Sequence, residues 1–401
     1  MVVLAGGDLV LPDRVLTGGS LLIEEGRIAA VESSPRADPA GATRIDVRDC
    51  YVVPGFIDVH VHGVEGIDTL DTGDPVAAMS LRLPRYGVTA FCPTSVACRP
   101  TELAAMLDGV ARSRAARPSG GARVLPAPLE SNLINPDYRG AQPVECLRTP
   151  DPANGPAGAG RDGGMEFSAR EILDVIAAAR PDVGIVTLAP ELPGGVDLVR
   201  ALVSAGHRVS IGHSGATLDE AMAAIDAGAR HATHLFNRMS PMTHRAPGIV
   251  AAVLARDEVA AEIICDGYHV HPVVGRIAVA AKGTGRVMAI TDGTAGAGAA
   301  QGSTARLGGR RIQVTERAAI LPDGTLAGST LTMDRAFRTI VTAFDLSVVD
   351  AAVLCSTTPA RELGMAVFGV LAEGYVADVV VLDRQCRVRY TFIAGQAVYA
   401  Q

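Results

Sequence analysis

The chain has 401 residues, of which 48% are hydrophobic and 20% charged, and its formal net charge is −7. This composition supplies a sizeable core and argues against disorder. So mild an acidity gives no electrostatic basis for binding nucleic acid or an anionic membrane. No apolar run of roughly 18 residues and no basic start of a signal peptide is visible, and the seven cysteines form no disulfide pattern. We therefore expect a cytoplasmic protein without a membrane span.

The two ends of the chain are typical of β-structure. Residues 1–53 contain short apolar, β-branched runs separated by glycine-containing turns, and residues 364–401 continue with strand-like segments and no convincing helix. Chain ends often lie close together in folded domains. We therefore predict one small β-sandwich domain assembled from 1–53 and 364–401.

Residues 54–363 alternate between apolar runs and segments with helical spacing. In 101–116, for example, apolar residues recur at i, i+3, i+4 and i+7. Eight such strand–helix units predict an α/β fold, a (β/α)8 TIM barrel, whereas a doubly wound sheet would need a Gly-rich first turn that is absent. The predicted strands are VVPGFIDVHVH, VTAFCPTSV, ARVLPAPLE, VGIVTLAPE, RVSIGHS, HATHLFN, VAAEIICDGYHV and VMAITDG.

Two segments inside this middle region depart from the alternation. Residues 148–164 are dominated by Pro, Gly, Ala and Asp, and we predict a mobile loop on the barrel rim after the third strand. Residues 294–328 are Gly-rich and strand-like, which predicts a β-insertion between the eighth strand and the helix in 331–344.

Histidine and carboxylate side chains recur at the C-terminal ends of the predicted strands. An HxH pair in an apolar strand is weak evidence alone, but alternate strand residues face the same way and barrel enzymes build their sites at this end. Ligands of these types suit Zn²⁺ or another divalent ion such as Fe²⁺, Co²⁺ or Mn²⁺. We predict one or two ions held by His60, His62, Glu130, His213, His234 and Asp292.

Asp292 is the predicted general base, because it ends the eighth strand beside this centre. A bound divalent ion lowers the pKa of a coordinated water to roughly 7, and a positioned acid or base contributes about 10²–10⁴ in rate. The alternative is that Asp292 serves only as a metal ligand. The two roles overlap, because a carboxylate that binds the metal can also transfer protons. Outside the centre, we expect His207 and His231 at the surface or in caps, and His244 is left open.

The ordered motifs resemble those of the N-acetylglucosamine-6-phosphate deacetylases, in the amidohydrolase superfamily. The resemblance covers essentially the whole chain and rests on PGFIDVHVHG, the Glu130 region with NPDYRGAQ, IGHSGAT, THLFNRMSPMTHRAPG, DGYHVHP, ITDG and LAGSTLTMDRAFR. It implies a barrel with a terminal β-sandwich, a homodimer, and a small-molecule substrate, an acetylated amino sugar phosphate. It further implies a principal metal on Glu130, His213 and His234, with His60 and His62 supporting a second ion in some members.

The resemblance also implies roles on the substrate side. Asp292 would take a proton from the attacking water and pass it to the departing amine. Asn237, Arg245 and His269 would contact the sugar phosphate, and a guanidinium fork suits phosphate on independent grounds. Arg238 follows the asparagine where the family has a small residue, so it is predicted to add charge to the pocket or crowd it.

Two further departures from the family pattern leave alternatives open. Ser131-Asn132 replaces Gly-Pro after the metal glutamate, and Gln142 stands where a histidine polarises the scissile carbonyl. Gln142 keeps an N–H donor but carries no positive charge. The function is therefore predicted as deacetylation of N-acetylglucosamine 6-phosphate. The alternatives are a paralogue acting on another N-acyl amine, such as N-acetylgalactosamine 6-phosphate or an unphosphorylated metabolite, and a catalytically silent binding protein. Asp292 argues against the last.

The lysine content narrows the kind of metal centre. Lys282 is the only lysine and falls in a predicted helix. A centre bridged by a carboxylated lysine at the end of the fourth strand, as in other amidohydrolases, is therefore disfavoured.

Overall fold

The computed structural model describes residues 1–33, 41–150 and 167–401. Of the loop predicted at 148–164, residues 151–164 lie outside the described residues. Within the described ranges, no helix combines the length and apolar character needed to cross a membrane.

The described residues form strands and helices whose bounds follow in chain order. The strands are β1 (Val2–Val10), β2 (Val15–Glu24), β3 (Arg27–Glu32), β4 (Thr43–Asp46), β5 (Cys50–Pro54), β6 (Phe56–Val61), β7 (Gly63–Val64), β8 (Ile67–Asp68), β9 (Val88–Pro93), β10 (Arg123–Val124), β11 (Ala127–Leu129), β12 (Val183–Leu188), β13 (Arg208–Ile211), β14 (His231–Ala232), β15 (Ala260–Ile264), β16 (Val287–Ile290), β17 (Thr304–Leu307), β18 (Arg310–Val314), β19 (Ala319–Ile320), β20 (Val379–Asp383), β21 (Val388–Ile393) and β22 (Gln396–Ala400). The α-helices are α1 (Pro75–Arg82), α2 (Pro100–Ala115), α3 (Ala169–Ala178), α4 (Gly195–Ser204), α5 (Leu218–Asp226), α6 (Gly248–Ala255), α7 (Pro272–Lys282), α8 (Met333–Thr342), α9 (Val348–Ala352) and α10 (Thr358–Glu362).

Strands from both ends of the chain form one mixed sheet of eight strands. Its order is β22-β21-β20-β5-β1-β2-β3, with β4 paired to β1. Strand β20 shows how the sheet separates two cores. Val379 and Val381 pack in the core of the terminal strands, and Val380 and Leu382 pack in the barrel core. This alternation is the two-residue period of a strand buried on both faces. The predicted terminal β-domain is confirmed, while its boundaries at 53/54 and 363/364 stay a prediction.

The middle of the chain forms the predicted barrel of parallel strands. One sheet runs β10-β9-β6 and another β11-β12-β13-β14-β15-β16. Two bridges join them into a closed ring, Ser95 with Leu129 and Val61 with Gly293. Closure is reinforced by the backbone N–H of Asp292, which donates to the carbonyl of His60 at 2.9 Å. The barrel thus brings the ends of the first and eighth strands together.

A buried carboxylate also ties these two strands. Asp58 on β6 accepts hydrogen bonds from the backbone N–H of Thr291 at 3.2 Å and from its hydroxyl at 2.6 Å. Burial raises the pKa of Asp58 to about 6, although the bonds from Thr291 oppose that shift. Asp58 therefore holds the strand end on which His60 and His62 sit.

All eight predicted barrel strands end earlier in the structure than expected, and the third and the sixth also differ for local reasons. The third is split into β10 and β11, because Pro126 has no N–H to donate to a ladder. The sixth keeps only His231 and Ala232, since the chain turns at Thr233–Asn237 toward the barrel mouth. The predicted β-insertion is confirmed as the antiparallel strands β17, β18 and β19.

Candidate metal centre and substrate cavity

Glu130, His213 and His234 form a compact cluster at the mouth of the barrel. They follow β11, β13 and β14, and all three are buried. Glu130 Oε1 lies 2.7 Å from His213 Nε2 and 2.7 Å from His234 Nε2, and the two Nε2 atoms are 3.0 Å apart. The three predicted ligands of the principal metal therefore present their donor atoms to one point.

The surroundings of this cluster orient the ring of His213 and determine the charge of Glu130. His213 Nδ1 lies 2.8 Å from the carbonyl oxygen of Tyr138, so Nδ1 carries a proton and Nε2 is the ring nitrogen turned toward the centre. Burial alone would raise the pKa of Glu130. The charges and hydrogen bonds of His213 and His234 overcome it and hold that pKa well below its usual range. Glu130 is thus an anionic oxygen donor at neutral pH.

His60, His62 and Asp292 form a second cluster against the first. His62 Nε2 lies 3.2 Å from His60 Nε2, 3.2 Å from Asp292 Oδ1 and 3.5 Å from Glu130 Oε2. Both outer ring nitrogens are held, His60 Nδ1 by Glu262 Oε2 at 2.9 Å and His62 Nδ1 by the carbonyl of Thr94 at 3.2 Å. The inner nitrogens therefore face the centre.

The electrostatics of the second cluster favour a cation. Burial opposes a charged His62, but the hydrogen bond with Asp292 and the charges of Glu130 and Asp292 outweigh it and raise the pKa of His62 to about 9. Burial likewise works against ionised Asp292. The hydrogen bond from His62 and the charges of His60 and His62 nevertheless keep the pKa of Asp292 below its ordinary value. The carboxylates of Glu130 and Asp292 therefore place negative charge beside the imidazoles, and a divalent ion would neutralise it.

Three of the proposed ligands have an uncommon backbone conformation. His213, His234 and Asp292 all have positive φ, of 47°, 29° and 48°. Non-glycine residues rarely occupy this region, and such strain clusters at functional sites where the surroundings enforce it. Each of the three lies two positions after the end of a barrel strand, so the turn directs the side chain into the mouth.

The donor set fits a first-row divalent ion. Ligands about 2.1 Å from a tetrahedral ion lie roughly 3.4 Å apart. The donors of Glu130, His213 and His234 are 2.7–3.0 Å apart. An ion therefore needs only a few tenths of an ångström of outward movement. Two imidazole nitrogens lie against each other beside a carboxylate oxygen, and a cation between them could bind all three atoms.

Both clusters open into a cavity of about 520 Å³, a size that suits a small phosphorylated metabolite. Its lining includes the predicted substrate residues Asn237, Arg238, His269 and Gln142, together with Asp137 and Tyr138. Arg245 does not belong to this lining and lies in an exposed loop at 241–246. The structure thus brings four of the five predicted substrate residues to the metal clusters.

His269 belongs to the lining of this cavity and is held by a buried carboxylate. Its Nδ1 lies 2.6 Å from Asp266 Oδ2, and both side chains are 5% exposed. Within the described residues its Nε2 has no hydrogen-bond partner although it is buried. A buried, unpaired ring nitrogen at a cavity wall is available to a ligand.

The surface location that the sequence suggested as one alternative for His207 and His231 is wrong. His207 and His231 are not surface residues but are 6% and 2% exposed. His207 Nδ1 lies 3.3 Å from the carbonyl of Val183, and His231 sits in β14, where the closed barrel leaves no solvent. His244 is exposed. Sequence reasoning also missed Glu262 and Asp266, although a lone carboxylate in the apolar run VAAEIICDG was a visible signal.

The protein is thus a closed (β/α)8 barrel whose two clusters are compatible with a divalent metal site. Both clusters lie at the C-terminal ends of the barrel strands.

Comparisons with known proteins narrow this class. A model of the amidohydrolase family matches residues 51–398. N-acetylglucosamine-6-phosphate deacetylase of Bacillus subtilis (strain 168) is 33% identical over 397 residues, which cover 98% of this chain and 95% of the relative. N-acetylgalactosamine-6-phosphate deacetylase of Escherichia coli O157:H7 is 33% identical over 397 residues, 98% of each chain. The chain belongs to the amidohydrolase family.

A solved structure supports the same relationship. It is a mutant N-acetyl-D-glucosamine-6-phosphate deacetylase from Mycobacterium smegmatis in complex with N-acetyl-D-glucosamine-6-phosphate. This chain is similar to it with a TM-score of 0.86 and 33% identity, covering 100% of this chain and 99% of that one. The similarity therefore extends over both the barrel and the terminal sheet.

Proposed function

We propose that the protein is a metal-dependent amide hydrolase that removes the acetyl group from an N-acetylated amino sugar phosphate. The substrate proposed first is N-acetylglucosamine 6-phosphate, which gives glucosamine 6-phosphate and acetate. One observation carries the proposal, namely that a carboxylate and histidine centre opens into a cavity with cationic and amide side chains on its wall. The relatives named for this reaction support the choice of substrate.

Zn²⁺ is the ion proposed for the centre, because its ligands are imidazole nitrogens and carboxylate oxygens. Glu130, His213 and His234 would hold the principal ion, and His60, His62 and Asp292 would hold a second ion where one binds. When bound, the divalent ion supplies a Lewis acid and lowers the pKa of water in the site. The protein's contribution is to hold the outer ring nitrogens of His60, His62 and His213 with oxygen acceptors, which turns the inner nitrogens toward the centre.

Asp292 is proposed as the proton carrier. Its carboxylate lies 3.2 Å from His62 Nε2, and its lowered pKa keeps it ionised at neutral pH. It can accept a proton as water adds to the acetyl carbon and return that proton to the amine nitrogen as the C–N bond breaks. The products are then acetate and the free amine, with no further reactant needed.

The cavity wall opposite this centre would hold the sugar phosphate. Asn237 offers an amide, Arg238 a guanidinium and His269 a ring nitrogen, and all three line the cavity. Phosphate is well matched by a guanidinium fork and by N–H donors. The predicted contact from Arg245 stays a proposal, since its loop lies outside the lining of this cavity.

A second substrate deserves a direct comparison with the first. The relative from Escherichia coli O157:H7, named for N-acetylgalactosamine 6-phosphate, is as similar to this chain as the Bacillus subtilis relative. The two sugars differ in one hydroxyl configuration, so the same metal centre would serve either. The side chains of the cavity wall would therefore determine which of the two sugars is preferred.

The test is a substrate panel with the purified, Zn²⁺-loaded chain. Acetate release is measured for N-acetylglucosamine 6-phosphate, its unphosphorylated form and N-acetylgalactosamine 6-phosphate. We expect the first to have the highest kcat/KM. Equal values with and without phosphate would replace the proposal by a paralogue with another substrate. Tight binding without turnover of any of the three would favour a silent binding protein.

Localisation and assembly are proposed on narrower grounds. All seven cysteines are free thiols and six are buried, which fits the proposed cytoplasmic location. A homodimer is proposed because α7 exposes the apolar side chains of Val273 and Ile277, at 59% and 57%. Light scattering of the purified chain tests this, and a monomer at micromolar concentration would exclude it.

A further inference from the structure

Gln142 is a buried amide in the loop between β11 and α3, and both ends of its side chain are engaged by protein groups. It is 4% exposed. Its Oε1 accepts a hydrogen bond from the backbone N–H of Ala97 at 2.7 Å, and its Nε2 donates to Glu130 Oε2. One amide therefore bridges the chain after β9 to a proposed metal ligand.

The orientation of this amide is determined by its neighbours. The backbone N–H of Ala97 can only donate, so it must face the amide oxygen. Ionised Glu130 can only accept, so it must face the amide nitrogen. A flipped amide would oppose like groups at both ends, and the side chain is thus locked in one orientation.

The same segment holds Glu130 through its backbone. The N–H of Glu130 donates to the carbonyl of Ser95 at 3.1 Å. The backbone of Glu130 is therefore bonded directly to Ser95, and its side chain is linked to Ala97 through Gln142. With Oε2 held in this way, Oε1 is the oxygen that lies 2.7 Å from His213 Nε2 and His234 Nε2.

We propose that Gln142 is a positioning residue for the metal centre, which fixes the carboxylate of Glu130 so that Oε1 serves as a single-oxygen ligand. The inference rests on the proposed metal-binding function but not on the identity of the substrate. Outer partners of metal ligands change metal affinity or activity by about 10–100-fold when they are removed. The second N–H of Gln142 stays available for a substrate oxygen, so positioning and the predicted substrate contact are separable roles.

The experiment measures Zn²⁺ affinity by competition with a chromophoric chelator in the wild type, Gln142→Leu and Gln142→Glu. Leucine removes the bridge with little change in volume, and glutamate keeps an acceptor for Ala97 while placing a carboxylate against Glu130. We expect the Zn²⁺ dissociation constant to rise about 10–100-fold in both variants. Gln313→Leu is the matched control, because Gln313 is exposed on β18 and bonds only to the carbonyls of Gly302 and Ser303 in the part of the chain described.

Turnover separates positioning from substrate contact. If Gln142 positions Glu130, raising free Zn²⁺ restores most of kcat in Gln142→Leu and leaves KM near the wild-type value. Unchanged Zn²⁺ affinity with kcat lowered at saturating Zn²⁺ would overturn the inference and assign Gln142 to the acyl oxygen. If the wild type itself bound no Zn²⁺, the proposed function would fail instead, so the two failures are distinguishable. Gln142→Glu provides the affinity measurement if Gln142→Leu does not fold.

Discussion

Glu262 Oε2 lies 2.9 Å from His60 Nδ1, so a carboxylate on the seventh barrel strand orients an imidazole on the first. Glu262 is 1% exposed, and its backbone carbonyl and carboxylate also accept the N–H groups of Leu235 and His234, at 2.8 and 3.3 Å. It thus links both proposed metal clusters from behind. A buried carboxylate with this many partners serves the site and is not an isolated core charge.

Replacing Glu262 tests that link. Glu262→Gln removes the charge that holds the His60 ring while keeping the side-chain volume. We expect a loss of about 10–100-fold in Zn²⁺ affinity or in kcat, as for other partners of metal-bound histidines. Glu258→Gln is the control, since Glu258 is 38% exposed and pairs with Arg256. Wild-type metal binding and turnover in Glu262→Gln would show that His60 needs no carboxylate behind it.

Metal removal should abolish hydrolysis reversibly. Dialysis against a chelator is expected to remove the ion and the acetate release, and Zn²⁺ should restore both. His234→Ala should lower the bound metal measured by mass spectrometry, because Nε2 of His234 is one of three converging donors. His244→Ala, at an exposed loop histidine, should retain the wild-type metal content. Full activity after complete metal removal would refute the mechanism.

Asp292→Asn separates proton transfer from metal binding. Asparagine preserves the shape at a φ of 48° but cannot accept a proton at neutral pH. We expect kcat to fall by about 10²-fold or more, since a positioned base contributes about 10²–10⁴. Glu130, His213 and His234 remain, so the principal ion should stay bound. Asp345→Asn, at a carboxylate that is 84% exposed, is the matched control. Unchanged kcat would move the proton carrier elsewhere.

The proposed metal ligands could be predicted from the sequence because the C-terminal ends of all strands in a parallel barrel lie at the same mouth. His60, His62 and Asp292 each follow an apolar run, and the closed barrel brings these runs to one mouth. What sequence reasoning could not provide is the direction of irregular loops. Arg238 and Arg245 are seven positions apart in one loop, yet only Arg238 lines the cavity.

Hydrogen bonds between residues far apart in the chain also could not be predicted from the sequence. The bond of Gln142 to Glu130 depends on where the loop after β11 folds back, and no periodicity encodes that. His231 was misplaced because its position near a predicted strand end suggested solvent. In the barrel that strand end is enclosed by its neighbours β13 and β15.

Burial of His231 should make the protein less stable in mild acid. Burial lowers its pKa from the ordinary 6.5, although the charges of Glu262 and Glu362 oppose that shift. The unfolded chain then binds more protons than the folded one below about pH 6.5. The contribution of His231 is therefore complete above that pH and is lost as the pH falls toward the lowered value.

The measurement compares pH slopes among variants. The free energy of unfolding of Zn²⁺-saturated protein, from urea denaturation, should fall less steeply between pH about 6.5 and 5 in His231→Gln than in the wild type. Ligand protonation affects both proteins alike, so the difference in slope reports His231. His244→Gln, at the exposed loop, should keep the wild-type slope. Parallel curves for wild type and His231→Gln would contradict the lowered pKa.

The side chain of Arg238 passes directly over Gly140 at the cavity wall. A Cβ on Gly140 would lie 2.6 Å from Arg238 Nε, and Gly140 has a φ of +60°. The loop before Gln142 therefore leaves room for the guanidinium only because residue 140 is glycine.

Arg238→Ala and Arg245→Ala together decide which arginine binds the phosphate. A hydrogen bond to a charged group contributes about 1.5–3 kcal/mol, which corresponds to roughly 10–100-fold in KM. Arg238 lines the cavity with Asn237 and His269, so Arg238→Ala should raise KM by that factor for the phosphorylated substrate and leave the unphosphorylated sugar unaffected.

Arg245→Ala should have little effect in a monomer, because its loop lies outside this lining. An effect of Arg245→Ala that appears only in a dimer would place Arg245 at a neighbouring subunit's cavity. An equal loss for both sugars in Arg238→Ala would mean that Arg238 shapes the wall and does not bind phosphate.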